Sequence, residues 1–347
     1  MMEKMIAVRK MNPAPGLELS ETEVPEPGKG KLLVEVTATS MCGTDVHIYN
    51  WEPPFGPGRL NPPITIGHEV VGKVIGIGEG VEGFADGDSV SAESHIYDNT
   101  CNTCKLGNVH ICENIKFYGV DTNGFWAKYA LIDISTAWKN PPSLPPEIAT
   151  LQESMGNSVY TVEESNVKDK DVVIFGTGPT GLFSIAIAKA MGARKVMVVY
   201  GSDMHGKISK QMGADNLINR HEKDPVKEVL ELTEGKGADV VLEMSGAEQA
   251  INNALDAVRP VGMVTVLGLP PKPLTIDISK KIVLKDLTFR GIYGRRIWDT
   301  WKTTSRLLSE GLDITPIITH RLKLDEFEKG IEAMKSGQSG KVVFFPK

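Results

Sequence analysis

The sequence predicts an α/β fold in which a doubly wound parallel sheet with crossover helices is combined with an all-β, barrel-like unit. Three observations predict it. Residues 6 to about 150 are rich in Gly, Pro and short β-branched runs. From about 170 the pattern changes to strand, helix, strand, helix, and the first strand-to-helix junction reads Gly176-Thr177-Gly178-Pro179-Thr180-Gly181. At 347 residues the chain is longer than a single hydrophobic core usually supports, so two domains are expected.

In the first part, Lys31-Leu32-Leu33-Val34-Glu35-Val36 alternates apolar and polar residues, and Val70-Val71-Gly72-Lys73-Val74-Ile75-Gly76-Ile77 is a β-branched run punctuated by glycine. Both read as strands. All four cysteines fall here, at two kinds of spacing. Cys101 and Cys104 are three apart, so both can grip one ion from a single turn, and Cys112 follows eight residues later. Asp98 would complete the set, since carboxylate oxygen is an accepted zinc ligand. A Cys101/Cys104 disulfide or a row of unpaired thiols is the alternative. Four cysteines in so long a chain do not make a disulfide framework, and the spacing fits metal use in a reducing compartment better.

The second constellation is distributed: Cys42, the pair His68-Glu69, and Glu153 in Leu151-Gln152-Glu153-Ser154. One sulfur, one imidazole and one or two carboxylates make three protein ligands with a place left open, which means Lewis-acid chemistry. Taken singly, a cysteine is more often buried and inert. The combination upstream of a nucleotide motif is what points to a catalytic metal.

In the second part, Val172-Val173-Ile174-Phe175 and Lys195-Val196-Met197-Val198-Val199 are the first two expected strands, followed by Asp239–Glu243 and Met263–Leu267. Between the first two, Gly176 permits a tight turn, Gly178 lets backbone approach a pyrophosphate, and Gly181 lets helix and strand pack closely. Pro179 and Thr180 open the helix, where free N–H groups favour an anion. The second strand ends without the acid expected for a ribose 2′-hydroxyl: Tyr200 stands there, followed by Gly201-Ser202-Asp203-Met204-His205. NAD is the expected cofactor, with NADP its alternative because His205 and Lys207 offer positive charge to a 2′-phosphate. Leu267, Leu269 and Ile292 are further candidate cofactor contacts. Near the end of the chain, helices around Trp298 to Leu308 and from Asp325, then the strand Lys341–Phe345, could pack back on the first part.

A net charge of −6 without a basic stripe argues against a nucleic-acid partner. The start Met1-Met2-Glu3-Lys4-Met5 has no long apolar core, and no charge-free apolar stretch of about 18 residues occurs, so no membrane partner and a cytoplasmic location are expected.

The runs Cys42-Gly43-Thr44-Asp45-Val46-His47-Ile48-Tyr49-Asn50-Trp51, Gly67-His68-Glu69, Leu151-Gln152-Glu153, Glu243-Met244-Ser245-Gly246-Ala247, Pro316–Arg321 and Ser336–Val342 together carry a resemblance. The chain resembles the zinc-dependent medium-chain dehydrogenases nearly end to end, and among them the branch that oxidises L-threonine. The resemblance implies a GroES-like β-barrel catalytic domain, residues 1–155 and 295–347, with a Rossmann domain, 156–294, inserted in it. It implies catalytic Zn2+ on Cys42, His68 and Glu69 with Glu153 a close or exchanging ligand, a proton relay through Thr44 and His47, His95 lining the substrate pocket, and a homotetramer. Family members that hold a second, structural zinc usually present four cysteines where this chain has Asp98, Cys101, Cys104 and Cys112. The residue after Glu153 is Ser154, where proline is frequent.

The chemistry expected is oxidation of the secondary hydroxyl of L-threonine to 2-amino-3-oxobutanoate. A hydroxyl on zinc becomes acidic, Thr44 accepts its proton and passes it through the cofactor ribose to His47, whose ordinary pKa suits a relay to solvent. A polyol or vicinal-diol dehydrogenase is the nearest alternative, because ligands and relay are shared; a zinc-free nucleotide-binding module and a zinc-ribbon interaction protein are more distant ones. Arg295 and Arg296 are candidates for the polar groups of the substrate.

Overall fold

The structure, a computed structural model, describes residues 3–52 and 58–346. The chain divides into two compact units, Met1–Ser154 with Ile318–Lys347 and Met155–Ile317.

In the first unit the strand Lys31–Ser40 is the spine. Its alternation turns Leu32, Val34 and Val36 into the core and leaves Glu35 exposed. It pairs antiparallel with Glu69–Ile77 on one side, and on the other with Tyr129–Asp133 and the last strand of the chain, Lys341–Phe345. The chain end therefore returns to the first unit, and the second unit is an insertion. Ser40 is opposite both Glu69 and Val343. This register brings the end of one strand and the beginnings of two others to the same edge, where Cys42, His68-Glu69 and Lys341 converge. Beneath that edge, Met41, Ile48, Trp126, Phe327, Ile331 and Phe344 form a closed apolar cluster.

The second unit contains a six-stranded, wholly parallel sheet in the spatial order Asn216–Asn219, Lys195–Tyr200, Asp171–Phe175, Ala238–Glu243, Val258–Val266, Thr288–Gly291. Numbered along the chain this is 3-2-1-4-5-6, the doubly wound dinucleotide-binding order. Val172, Val173, Ile174 and Phe175 are all buried, as expected of a central strand covered on both faces. The outer strands Asn216–Asn219 and Thr288–Gly291 were not expected from sequence, because they are short and half polar.

One boundary differs from expectation. The segment 295–317, assigned from sequence to the catalytic part, packs with the second unit. Arg295 Nη1 donates to Asn157 Oδ1 at 3.0 Å, Arg296 pairs with Glu164 at 3.6 Å, and Thr303 Oγ1 donates to Glu163 at 2.7 Å. These contacts tie the helix Asp299–Ser309 to the helix Gln152–Glu164, so the chain leaves the second unit only at the strand Ile318–Lys323.

Candidate active site

Cys42 caps the short helix Gly43–Tyr49 immediately after the spine strand, and its backbone N–H donates to Asp45 Oδ2 at 2.9 Å. His68 follows Gly67, which has φ +89°; a Cβ there would fall 2.0 Å from the Trp126 ring, so only glycine makes this approach. The ligand atoms of Cys42, His68 and Glu69 all lie within 4.8 Å of one another. Distant stretches of sequence thus meet as one compact trio of metal-ligating groups.

The surroundings of the trio fit a bound cation. Glu69 is fully buried, and its carboxylate receives Lys341 Nζ at 2.6 and 2.7 Å, Ser154 Oγ at 3.3 Å and the Ser40 hydroxyl. Asp45, also fully buried, has an Oδ1 with no hydrogen-bond partner that faces His68 Nδ1 at 3.8 Å. Burial pushes the Asp45 carboxyl up to about 6. For His68, burial opposes the charged ring, but the charge of Asp45 and the hydrogen bond with Cys42 outweigh it and raise its pKa to about 10. These surroundings favour positive charge beside the ring, which is what a bound cation would supply. Asp45 faces Nδ1 at 3.8 Å, beyond hydrogen-bond reach, so it acts on the ring from that side through its charge.

A pH dependence follows. Below about 10 His68 carries a proton that zinc must expel, so apparent zinc affinity should rise with pH, by roughly tenfold per unit across neutrality. Isothermal titration of metal-free protein in buffers of different ionisation enthalpy reads the released proton; no proton release at pH 7 would contradict this picture.

The other expected residues take distinct places. Thr44 Oγ1 lies 3.9 Å from Cys42 Sγ, and His47, one turn further along the same helix, is exposed with Nδ1 3.4 Å from Glu52. Glu153 is buried at the start of the helix Gln152–Glu164 and acts on His68 through its charge, outside the compact trio. His95 is buried, with Nδ1 3.2 Å from Glu93 and its ring edge-on to Phe117. Arg295 is buried and hydrogen-bonded to Asn157, and Arg296 is paired with Glu164. Neither is a free cation awaiting a substrate.

In the lobe 98–114 the ligand atoms of Asp98, Cys101, Cys104 and Cys112 also lie within 4.8 Å of one another, and all the cysteines are free thiols. The separations Cys101–Cys112 3.9 Å, Cys104–Asp98 3.7 Å and Cys112–Asp98 3.4 Å suit a tetrahedron with zinc–sulfur bonds of about 2.3 Å, whose edge is roughly 3.8 Å. The backbone N–H of Thr100 and the side-chain amide of Asn114 hold the Asp98 carboxyl well below the usual carboxylate range. Burial and the neighbouring thiols push Cys104 up to about 12, so its thiolate requires a cation.

The three glycines of the motif meet the steric demands of a tight strand-to-helix turn. Gly176 has φ +95°, and Gly178 caps the helix Pro179–Ala190 with open space where a side chain would stand. A Cβ on Gly181 would lie 1.9 Å from the Gly176 carbonyl oxygen. Gly181→Ala is therefore expected to part turn from helix and weaken dinucleotide binding at least about tenfold, measurable by nucleotide fluorescence titration. Tyr200, Leu267 and Ile292 stand at or just beyond the carboxyl ends of their strands; Leu267 N–H donates to the Glu243 carbonyl and Ile292 N–H to that of Val266, both at 2.9 Å. Leu269 is exposed beside Gly246, and His205 N–H donates to Ser202 Oγ at 3.4 Å. Sequence reasoning missed the supporting groups Asp45, Ser40, Ser154 and Lys341. Asp45, Ser154 and Lys341 lie in runs already quoted, but their approach to His68 and Glu69 shows only in the fold.

Residues 28–142 match the family profile of the alcohol dehydrogenase GroES-like domain, and residues 179–310 that of zinc-binding dehydrogenases. The L-threonine 3-dehydrogenase of Pyrococcus horikoshii is 50% identical over the whole of both chains. Among solved structures, a zinc-binding dehydrogenase of Sinorhizobium meliloti bound to NADP superposes with a TM-score of 0.93 at 27% identity, covering 99% of this chain and 100% of that one. The 2R,3R-butanediol dehydrogenase of Bacillus subtilis does so with a TM-score of 0.90 at 28% identity and the same coverage.

Proposed function

We propose, from the premise that the chain belongs to the zinc-dependent alcohol dehydrogenase family and is a zinc- and NAD(P)-dependent oxidoreductase, that it oxidises L-threonine to 2-amino-3-oxobutanoate. The observation that carries the substrate is the likeness to the Pyrococcus horikoshii enzyme, which leaves no part of either chain unmatched. In the reaction the secondary carbon gives up a hydride and the hydroxyl a proton, yielding the ketone and reduced cofactor. When bound, zinc supplies Lewis acidity toward that hydroxyl and the nicotinamide accepts the hydride.

The chain's own residues do the rest. Cys42, His68 and Glu69 would hold the metal, with Glu153 a close or exchanging ligand and the Asp45 carboxylate facing the imidazole. Thr44 accepts the hydroxyl proton, and His47, three residues on along the same helix and open to water, delivers it to solvent. His95 lines the substrate pocket. The set Asp98, Cys101, Cys104 and Cys112 holds a second, structural zinc, and Gly176, Gly178 and Gly181 seat the pyrophosphate.

The butanediol dehydrogenase likeness supports a second reading, a vicinal-diol substrate. Steady-state reduction of NAD and NADP with L-threonine, 2R,3R-butanediol and a polyol panel separates them. Threonine should give the highest kcat/KM; turnover confined to diols would overturn the assignment.

No helix among the described residues is long and apolar enough to cross a membrane. We assign the enzyme to the cytoplasm as a homotetramer. The exposed apolar residues Val283 and Leu284, with Phe289 in the edge strand Thr288–Gly291, support self-association.

A further inference from the structure

We propose that Arg220 is the residue that selects the cofactor, by binding the 2′-phosphate of NADP, and that this enzyme prefers NADP to NAD. The inference rests on the reading of the second unit as a dinucleotide-binding domain. In that fold the adenosine ribose lies at the carboxyl end of the second strand, where an acid selects NAD by accepting from the 2′-hydroxyl and repelling a 2′-phosphate. Here that strand is Lys195–Tyr200, and its last residue and the next two are Tyr200, Gly201 and Ser202.

The third strand brings a cation to this place. Tyr200 is opposite Asn219, and the Arg220 N–H donates to the Tyr200 carbonyl at 3.0 Å. Arg220 then lies across Gly201: a Cβ on that glycine would stand 2.8 Å from Nε, 3.1 Å from Nη2 and 3.2 Å from Cζ. Any larger residue at 201 would push the guanidinium away. The Tyr200 ring turns aside onto Gly206, where a Cβ would be 2.7 Å from Cε2. Arg220 is exposed and makes no ion pair among the described residues, whereas neighbouring charged side chains are engaged: Lys223 with Glu228, Lys189 with Asp215.

Other groups bear on the same spot. Ser202 caps the nine-residue helix Asp203–Gln211, whose N-terminus favours an anion, and Lys207 is exposed in that helix. Asp203 is exposed in its first turn and opposes the phosphate. Arg220 decides the balance, because a guanidinium grips a phosphate through two parallel hydrogen bonds and the place expected to be acidic is not.

The test is direct binding, independent of turnover. NADPH and NADH are titrated by fluorescence into the purified full-length protein and into Arg220→Ala and Arg220→Lys. The wild type should bind NADPH at least about tenfold more tightly than NADH. Arg220→Ala should weaken NADPH by about 10- to 100-fold and bring the ratio near one, with Arg220→Lys between. Preference for NADH in the wild type, or an unchanged ratio in Arg220→Ala, would overturn the assignment. If neither nucleotide bound, the dinucleotide reading itself would fall.

Discussion

Replacing Cys42 by serine is expected to abolish threonine oxidation, lowering kcat by at least about 10³-fold, and to remove one equivalent of zinc per chain. A serine hydroxyl stays protonated near neutrality and is a poor substitute for a thiolate in a site with so few strong donors. The fold should survive. The helix Gly43–Tyr49 is tied to the spine strand by the backbone N–H of residue 42 on Asp45, which the substitution leaves in place. The second zinc should also remain, because Cys101, Cys104 and Cys112 are untouched. Elemental analysis together with kcat and circular dichroism separates these effects: full zinc content and wild-type turnover would remove Cys42 from the metal site.

Lys341→Met is expected to destabilise the first unit strongly. Lys341 and Glu69 are 1% and 0% exposed, with Nζ bonded to both carboxylate oxygens and, at 2.9 Å, to the Met41 carbonyl. Removing the ammonium leaves a buried carboxylate without its counter-charge, a loss of about 3–5 kcal/mol. Metal-free protein should therefore unfold roughly 10 °C lower. Adding Glu69→Gln should recover most of the loss, because the buried charge goes with its partner. A thermal shift of less than about 2 °C for Lys341→Met, or no rescue by the second change, would show that the pair contributes little.

Most of what can be read from sequence has a common physical character: it is local. Gly176, Gly178 and Gly181 declare a turn whose steric demands are met within six residues, and Cys101, Cys104 and Cys112 are spaced for one ion. The trio was legible for a different reason. Cys42, His68, Glu69 and Glu153 were gathered by ligand chemistry and by the resemblance of their surrounding runs, and the register of Ser40 against Glu69 then shows how three of them meet.

The rest depended on contacts that sequence separation hides. Lys341 reads as an ordinary polar residue opening the last strand, yet that strand delivers it to Glu69, 272 positions away. Asp45 was visible in the Cys42 run, but its burial and its approach to His68 were not. Ser154, noted only as a departure from proline, hydrogen-bonds to Glu69. Arg295, a sequence candidate for substrate binding, is buried against Gly156 and hydrogen-bonded to Asn157. For Tyr200, the missing acid is evident in the sequence, while the approach of Arg220, just past the third strand, is not.

The central claim is best tested by diffraction from crystals of the purified enzyme, with data collected on both sides of the zinc absorption edge. An anomalous peak is expected about 2.3 Å from Cys42 Sγ and about 2.0 Å from a ring nitrogen of His68. A protein that turns over L-threonine while showing zinc only among Asp98, Cys101, Cys104 and Cys112 would contradict it.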